Sequence, residues 1–264
     1  MTMKSLSIAI SPCPNDTFIF AAWILGLAPL PGHNCRFIWH DVQELNQGAK
    51  ANSWAVTKVS AATALCLQGS HDILSCGGAF GLKHGPKVVV RRNNDKPVQT
   101  IAVPGLDTTA MLLLQRAMPQ GFTPVPMVFH AIVHAVQKGT VDAGLLIHET
   151  ALIYEQYDLN LHLDLGKWWQ EQTQNLPLPL GCIVIPKAYG SKTRALVEKT
   201  IQDSIQVAQA QPERIMPLVS GLARELDAIV LKQHIKAYVN DLSLDMGTKG
   251  MNALNTLQTF WKHA

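Results

Sequence analysis

The chain has 264 residues and a mass of 28.9 kDa, enough to bury roughly 70–75% of its unfolded surface in one large domain or two ordinary ones without disulfide staples. Hydrophobic residues make up 47% and charged residues 16%, against about 25% charged in a typical globular protein, which excludes a disordered chain or a coiled coil and predicts extensive buried sheet. The net charge of +3 is too small to predict a nucleic-acid or membrane partner, so a small anionic ligand would need a local site.

The first predicted element is a short apolar strand, Leu6–Ile10. Its apolar run is shorter than the ~7–15 residues of an export signal and meets Pro12 rather than a small-residue cleavage site, so a strand is expected there and not a leader. Ser11-Pro12-Cys13-Pro14-Asn15-Asp16 follows as a turn-rich loop. Asn15 or Asp16 is the expected N-cap of a helix from about Thr17, in which Phe18, Ala21, Ala22 and Leu25 repeat at helical spacing. Phe37–Val42 predicts a second strand, Gln43–Ala51 a polar helix, Trp54–Ser60 a third strand, Ala61–Gln68 an Ala-rich helix and Ile73–Ser75 a fourth strand.

The β-branched Val88-Val89-Val90, the polar Arg91–Lys96 and Pro97 predict a strand near 88–92 that crosses into a second lobe. The βα rhythm resumes with Thr100–Val103, helix Thr108–Met118, Pro126–Phe129, helix Ala131–Lys138, Val141–Ile147 and a helix from about Glu149. Leu161–Leu165 and Gly181–Ile185 are further strands around a Trp168-Trp169 helix and a Pro177–Pro179 loop, with a return crossing near 181–186. From Ser191, the expected N-cap, the pattern is helical: the stripe Val197, Ile201, Ile205 and Ala208, then helices near Pro212–Glu225, Asp227–Val239 and Thr248–Lys262.

Strands alternating with helices predict an α/β fold of mainly parallel sheet with right-handed crossovers. The expected division is lobe 1 at 1–90 plus 187–264 and lobe 2 at 91–186, with the C-terminal helices returning to lobe 1. In such folds the ligand cleft lies outside the carboxyl ends of strands. Here that edge comprises Ser11–Asp16, Thr57–Ser60, Pro104–Thr109 and His148, around a cleft that can close by hinge motion.

Each of these strings can carry chemistry and each has a plainer explanation. Asn15, Asp16 and Thr17 can present N–H groups to a ligand at a helix start, or form an ordinary Asx-capped turn. Lys58, amid apolar neighbours at a strand end, is costly to bury unless it meets an anion. Ser60 can cap the next helix and touch a ligand oxygen. Thr108 and Thr109 open a helix after Pro104-Gly105, an arrangement suited to a carboxylate or phosphate; capping accounts for one threonine but less easily for both. His148 ends a strand buried on both faces, where an imidazole of ordinary pKa near ~6.5 suits proton transfer, although a lone histidine is more often structural.

The remaining candidates are weaker. Five cysteines (Cys13, Cys35, Cys66, Cys76, Cys182) with no CxxC pair read as free thiols in a reducing cytoplasm, and Cys13 has no base nearby in sequence. His130 and His134 have metal-ligand spacing but no evident third ligand, so no metal is expected. Trp168-Trp169 and the Pro177–Gly181 stretch can wall a pocket or simply pack. The Walker, GxGxxG and GxSxG patterns are absent, which leaves nucleotide, dinucleotide and serine-hydrolase functions unsupported.

Six ordered strings resemble the 1,4-dihydroxy-6-naphthoate synthase family of the futalosine route to menaquinone. They are Ser11-Pro-Cys-Pro-Asn-Asp-Thr-Phe-Ile-Phe20, Thr57-Lys-Val-Ser60, Pro104-Gly-Leu-Asp-Thr-Thr-Ala110, Gly144-Leu-Leu-Ile-His-Glu149, Asp164-Leu-Gly-Lys-Trp-Trp169 and Leu176-Pro-Leu-Pro-Leu-Gly181. The resemblance covers nearly the whole chain and implies a two-lobed, type 2 periplasmic-binding-protein-like fold used as an enzyme, without a cofactor. It implies cyclic dehypoxanthinyl futalosine, a spirocyclic carboxylate, as substrate, with 1,4-dihydroxy-6-naphthoate and dihydroxyacetone as products. By position it places the catalytic base on His148 and substrate binding on Lys58, Val59, Ser60, Thr108 and Thr109; Asn15 and Asp16 are added as candidate contacts. Leu106-Asp107 departs from the family pattern and sets an acidic group beside the expected anion site. Two other functions fit the same scaffold: a non-catalytic organic-acid-binding protein, and a chorismate dehydratase.

Overall fold

The computed structural model describes residues 4–92, 97–223 and 227–262. In chain order it begins β1 (Lys4–Ile10), α1 (Pro14–Ile24), β2 (His33–Trp39), α2 (Val42–Lys50), β3 (Val56–Ser60), α3 (Ala61–Cys66), β4 (His71–Ile73) and β5 (Ala79–Gly81). Then come β6 (Lys87–Arg91), β7 (Thr100–Val103), α4 (Thr109–Ala117), β8 (Thr123–Pro126), α5 (Phe129–Lys138) and β9 (Ala143–Leu146). Two 3-10 turns (His148–Ala151 and Tyr154–Tyr157) lead to β10 (Leu159–Asp164), α6 (Leu165–Thr173) and β11 (Leu178–Pro186). The chain closes with α7 (Gly190–Ala210), α8 (Pro212–Leu222), α9 (Ala228–Tyr238), α10 (Asp241–Leu244) and α11 (Gly247–Lys262). Residues 93–96 of the expected crossing segment and 224–225 of the expected Pro212–Glu225 helix lie outside the described residues.

These strands form two sheets, ordered β2-β1-β3-β11-β4 with β5 against β11, and β10-β6-β9-β7-β8. The pairing is mixed rather than mainly parallel. Parallel ladders join β1 to β2 and β3, and β7 to β8 and β9. β6 runs antiparallel to β9 and β10, and β11 antiparallel to β3, β4 and β5. Their position explains the difference. β6 and β11 carry the chain from one sheet to the other, and an antiparallel partner needs no crossover helix.

Three local boundaries differ from expectation for identifiable reasons. α1 starts at Pro14, not near Thr17, with Cys13 at the N-cap and no side-chain cap. Proline's fixed φ and missing N–H favour the first helical position, so Asn15 and Asp16 fall inside the first turn and their side chains are free for other partners. Ser191 likewise lies inside α7, which begins at Gly190 after the 3-10 turn Lys187–Tyr189. The helix expected from Glu149 is two short 3-10 turns instead.

Packing fixes the site's frame. Val197, Ile201 and Ile205 of α7 are fully buried with Ile19, Phe20 and Trp23 of α1 against Ile8, Ile10 and Ile183 of the first sheet. A second cluster joins the two sheets through Phe80, Val88, Ile101, Leu113, Trp169 and Leu257. Trp169 is wholly buried and donates Nε1–H to the Leu176 carbonyl at 2.9 Å; it belongs to the core, with Trp168 packed beside it. α9 lies against α1, β5 and the first 3-10 turn.

Candidate active site

The carboxyl ends of β1, β3, β7 and β9 converge on one cavity of about 720 Å3 of atom-free space, its open mouth included. Ser11, Asn15, Asp16, Lys58, Val59 and Ser60 line it from the first sheet, Thr108, Thr109, Ala110 and His148 from the second. Val42, Leu45, Ile147, Leu180 and Tyr238 supply apolar wall. All eight residues singled out from sequence therefore meet in one place, and the Leu180-Gly181 end of β11 joins them.

Lys58 is 6% exposed, and its charge is met inside the protein. Nζ lies 2.6 Å from Asp16 Oδ1 and donates to the Gly77 carbonyl at 3.1 Å. Asp16 also accepts from Ser11 Oγ at 2.7 Å and from Asn15 Nδ2 at 2.8 Å. The ammonium is thus paired rather than bare, and the cavity wall presents a Lys–Asp unit. Gly181 makes room for it: a Cβ there would stand 2.9 Å from Lys58 Cε.

Ser60 occupies the N-cap of α3 without a side-chain cap bond. Asn46 engages it instead, accepting from Ser60 N at 2.9 Å and donating to Ser60 Oγ at 3.1 Å. Thr108 caps α4, accepting from Met111 N at 3.1 Å. Thr109 ties the sheets together, accepting from Ala62 N at 3.1 Å and donating to the Leu180 carbonyl at 3.2 Å. The first-turn N–H groups of Thr109 and Ala110 have no intrahelical acceptor, and both residues line the cavity. Here the α4 macrodipole favours negative charge.

Asp107 points away from the ligand space. Its carboxylate takes Lys50 Nζ at 2.7 Å and Gln43 Nε2 at 3.0 Å, and its carbonyl accepts from Asn46 Nδ2 and Thr63 Oγ1. The acidic residue that looked out of place beside an anion site is a strap between the two sheets' connections. Gly105 permits the approach, since a Cβ would lie 2.2 Å from Gln43 Oε1.

His148 opens the first 3-10 turn with φ of 57°, left-handed backbone that costs a non-glycine residue roughly 1–2 kcal/mol. Its half-buried ring packs edge-on to Phe129 at 5.0 Å and parallel to His234 at 6.2 Å. Among the described residues its ring nitrogens hydrogen-bond to no protein group, and the residue faces the cavity. Behind it, fully buried His234 meets Asn15 Oδ1 through Nε2 at 2.8 Å, with Nδ1 3.5 Å from Glu149 Oε2. Burial, and after it the His148 ring, push the His234 imidazole well below its ordinary proton affinity.

Sequence reasoning missed Asn46, Glu149, His234 and Tyr238. Glu149 carried a signal, standing beside His148 in a resembling string; His234 and Tyr238 sit in an ordinary amphipathic helix. Cys13 is buried, and burial above all holds its thiol well above the usual range, which disfavours the thiolate. His130 and His134 are exposed on α5 beside a second, shallower cavity. Among the described residues no three His, Cys, Asp or Glu side chains converge in a metal-binding group, and no helix is long and apolar enough to cross a membrane.

Comparison with known proteins identifies the family and the fold. Residues 6–263 match the family model described as menaquinone biosynthesis. A 1,4-dihydroxy-6-naphthoate synthase of Thermus thermophilus is 38% identical, over 97% of this chain and 93% of that protein. One of Streptomyces coelicolor is also 38% identical, over 98% and 93%. A solved protein of Archaeoglobus fulgidus superposes with a TM-score of 0.92 at 33% identity, over 98% of this chain and 97% of that one. The periplasmic aliphatic sulphonate binding protein of Escherichia coli aligns at a TM-score of 0.67 and 14% identity, over 98% and 87%, a likeness of fold alone. The two-sheet architecture is thus a periplasmic-binding-protein-like fold.

Proposed function

Because the chain belongs to the 1,4-dihydroxy-6-naphthoate synthase family and is an enzyme of menaquinone biosynthesis, we propose that it is a cofactor-independent carbon–carbon lyase acting on cyclic dehypoxanthinyl futalosine. One observation carries this reading: an imidazole with no protein hydrogen-bond partner among the described residues, held in strained backbone, faces a cavity that also contains a Lys–Asp unit and a helix N-terminus. Neutral His148 takes the proton of a substrate hydroxyl. The O–H electron pair becomes a carbonyl, and the adjacent C–C bond breaks in a retro-aldol sense. Its electrons leave with the triose fragment, which regains the proton from the imidazolium. Aromatisation of the remaining ring drives the step, so the protein supplies base, orientation and exclusion of water.

The walls suit such a substrate. Val42, Leu45, Ile147 and Leu180 offer apolar faces to a fused ring, while Lys58, Ser60 and the Thr109 and Ala110 N–H groups face its carboxylate and hydroxyl oxygens. The test is a side-by-side assay of purified protein on cyclic dehypoxanthinyl futalosine and chorismate. Release of 1,4-dihydroxy-6-naphthoate with an equivalent of triose is expected. Turnover of chorismate alone, or binding of the futalosine derivative without its consumption, would overturn the proposal.

A further inference from the structure

The cluster behind His148 has a valence problem. Asp16, as a carboxylate, only accepts hydrogen bonds, so Asn15 must turn Nδ2 toward Asp16 Oδ1 and Oδ1 toward His234. That requires His234 Nε2 to carry a hydrogen and donate it. The other nitrogen, Nδ1, then faces Glu149 Oε2 at 3.5 Å. Both atoms are buried and otherwise unpartnered among the described residues. Two buried acceptors turned toward each other are costly; a proton between them removes the cost.

We infer that His234 and Glu149 hold one shared proton and together act as the positioning pair of His148. This inference rests on the assignment of His148 as the base. The groups facing His234 are Asn15 from α1, with Asp16 and Lys58 behind it, and His148 and Glu149 from the 3-10 turn. Tyr238 comes from its own helix; the segment Ala79–Gly81 of β5 brings no titratable side chain. A continuous run therefore joins the Lys58 end of the cavity to the residue next to the base: Lys58, Asp16, Asn15, His234, Glu149.

The pair does two things for the base. It sets a near-parallel ring 6.2 Å from the His148 imidazole, which the edge-on Phe129 ring also contacts at 5.0 Å, and so limits the tilt of the base. It also keeps a net-neutral unit beside the base. Burial resists a second proton on the pair, while loss of the shared proton would leave a carboxylate near His148 that favours the imidazolium. In either role His234 acts through His148 and needs no contact with substrate.

The test uses the full chain without substrate first. Ring nitrogen NMR of the wild type is expected to show His234 Nδ1 hydrogen-bonded, with an exchange-protected, far-downfield proton near neutral pH. In His234→Phe, which keeps a ring but strands Glu149, the His148 titration midpoint is expected to rise by roughly one pH unit. With substrate, kcat should fall at least about tenfold and KM change less than about threefold. Glu149→Gln, whose amide can supply the missing N–H, should retain at least about tenfold more kcat than Glu149→Ala. A bare Nδ1 in the wild type overturns the inference even if no variant folds. A folded His234→Phe with unchanged His148 midpoint and kcat also overturns it. Absence of turnover by the wild type would instead defeat the lyase proposal and leave the NMR result standing.

Discussion

Lys58 Nζ and Asp16 Oδ1 stand 2.6 Å apart, both side chains more than nine-tenths buried, in the wall of the cavity that also holds His148. Breaking such a pair by removing one partner strands a charge and costs about 3–5 kcal/mol. The two halves should nevertheless affect binding in opposite directions. We predict that Asp16→Asn lowers the melting temperature yet tightens binding of an anionic substrate analogue, because Lys58 is no longer neutralised. Lys58→Met should destabilise and weaken binding at least about tenfold. Calorimetric titration of both variants decides it: equal weakening in both would make the pair a strut with no part in anion recognition.

His148 combines a strained backbone with a ring open to the cavity. Left-handed backbone at a cavity-facing residue costs stability that its surroundings must offset. We predict that His148→Ala and His148→Asn reduce single-turnover rates by about 10²–10⁴-fold with little change in substrate affinity. His148→Gly, relieved of the left-handed strain, should melt no lower than the wild type while remaining inactive. Near wild-type rates in both the Ala and Asn variants would exclude His148 as the base.

Much of this site was legible in the sequence, because strand ends mark themselves. Apolar runs stop at Ser11, Ser60, Pro104 and His148, and in an α/β fold those stops face the ligand. The contacts that dress the site were not legible. Asn46 sits 14 residues from Ser60, and His234 sits 219 from Asn15; neither pairing has a local pattern to betray it. The start of α1 was misplaced because Asn15 and Asp16 are good caps in the abstract, whereas Pro14 is better still at the first helical position. The antiparallel sense of β6 and β11 has no local signature for a different reason: an apolar run looks alike in either direction, and only the tertiary route sets its sense.

Asp107 joins the two sheets' connections through Lys50 and Gln43 at half-exposed positions. Exposed or half-exposed ion pairs contribute only about 0–1 kcal/mol, so the strap should matter little to folding and more to the balance of open and closed lobes. We predict that Asp107→Ala changes the melting temperature slightly, increases the radius of gyration of the ligand-free protein in X-ray scattering, and raises KM severalfold with kcat nearly unchanged. An unaltered scattering profile together with a wild-type KM would show that closure does not depend on this contact.

His71 on β4 is 3% exposed, and burial lowers its proton affinity from the ordinary imidazole value. Burial therefore keeps the folded ring neutral where the unfolded chain, titrating near ~6.5, already binds a proton. The unfolded state then holds more protons than the native one, which makes stability rise with pH across that window. Stability should therefore be lost as pH falls from about 6.5 toward the lower folded value. We predict that the wild-type urea midpoint declines more between pH 7.5 and pH 5.5 than that of His71→Gln, which has nothing to protonate there. Parallel declines in the two proteins would mean that acid sensitivity originates elsewhere and that the buried ring accepts its proton without penalty.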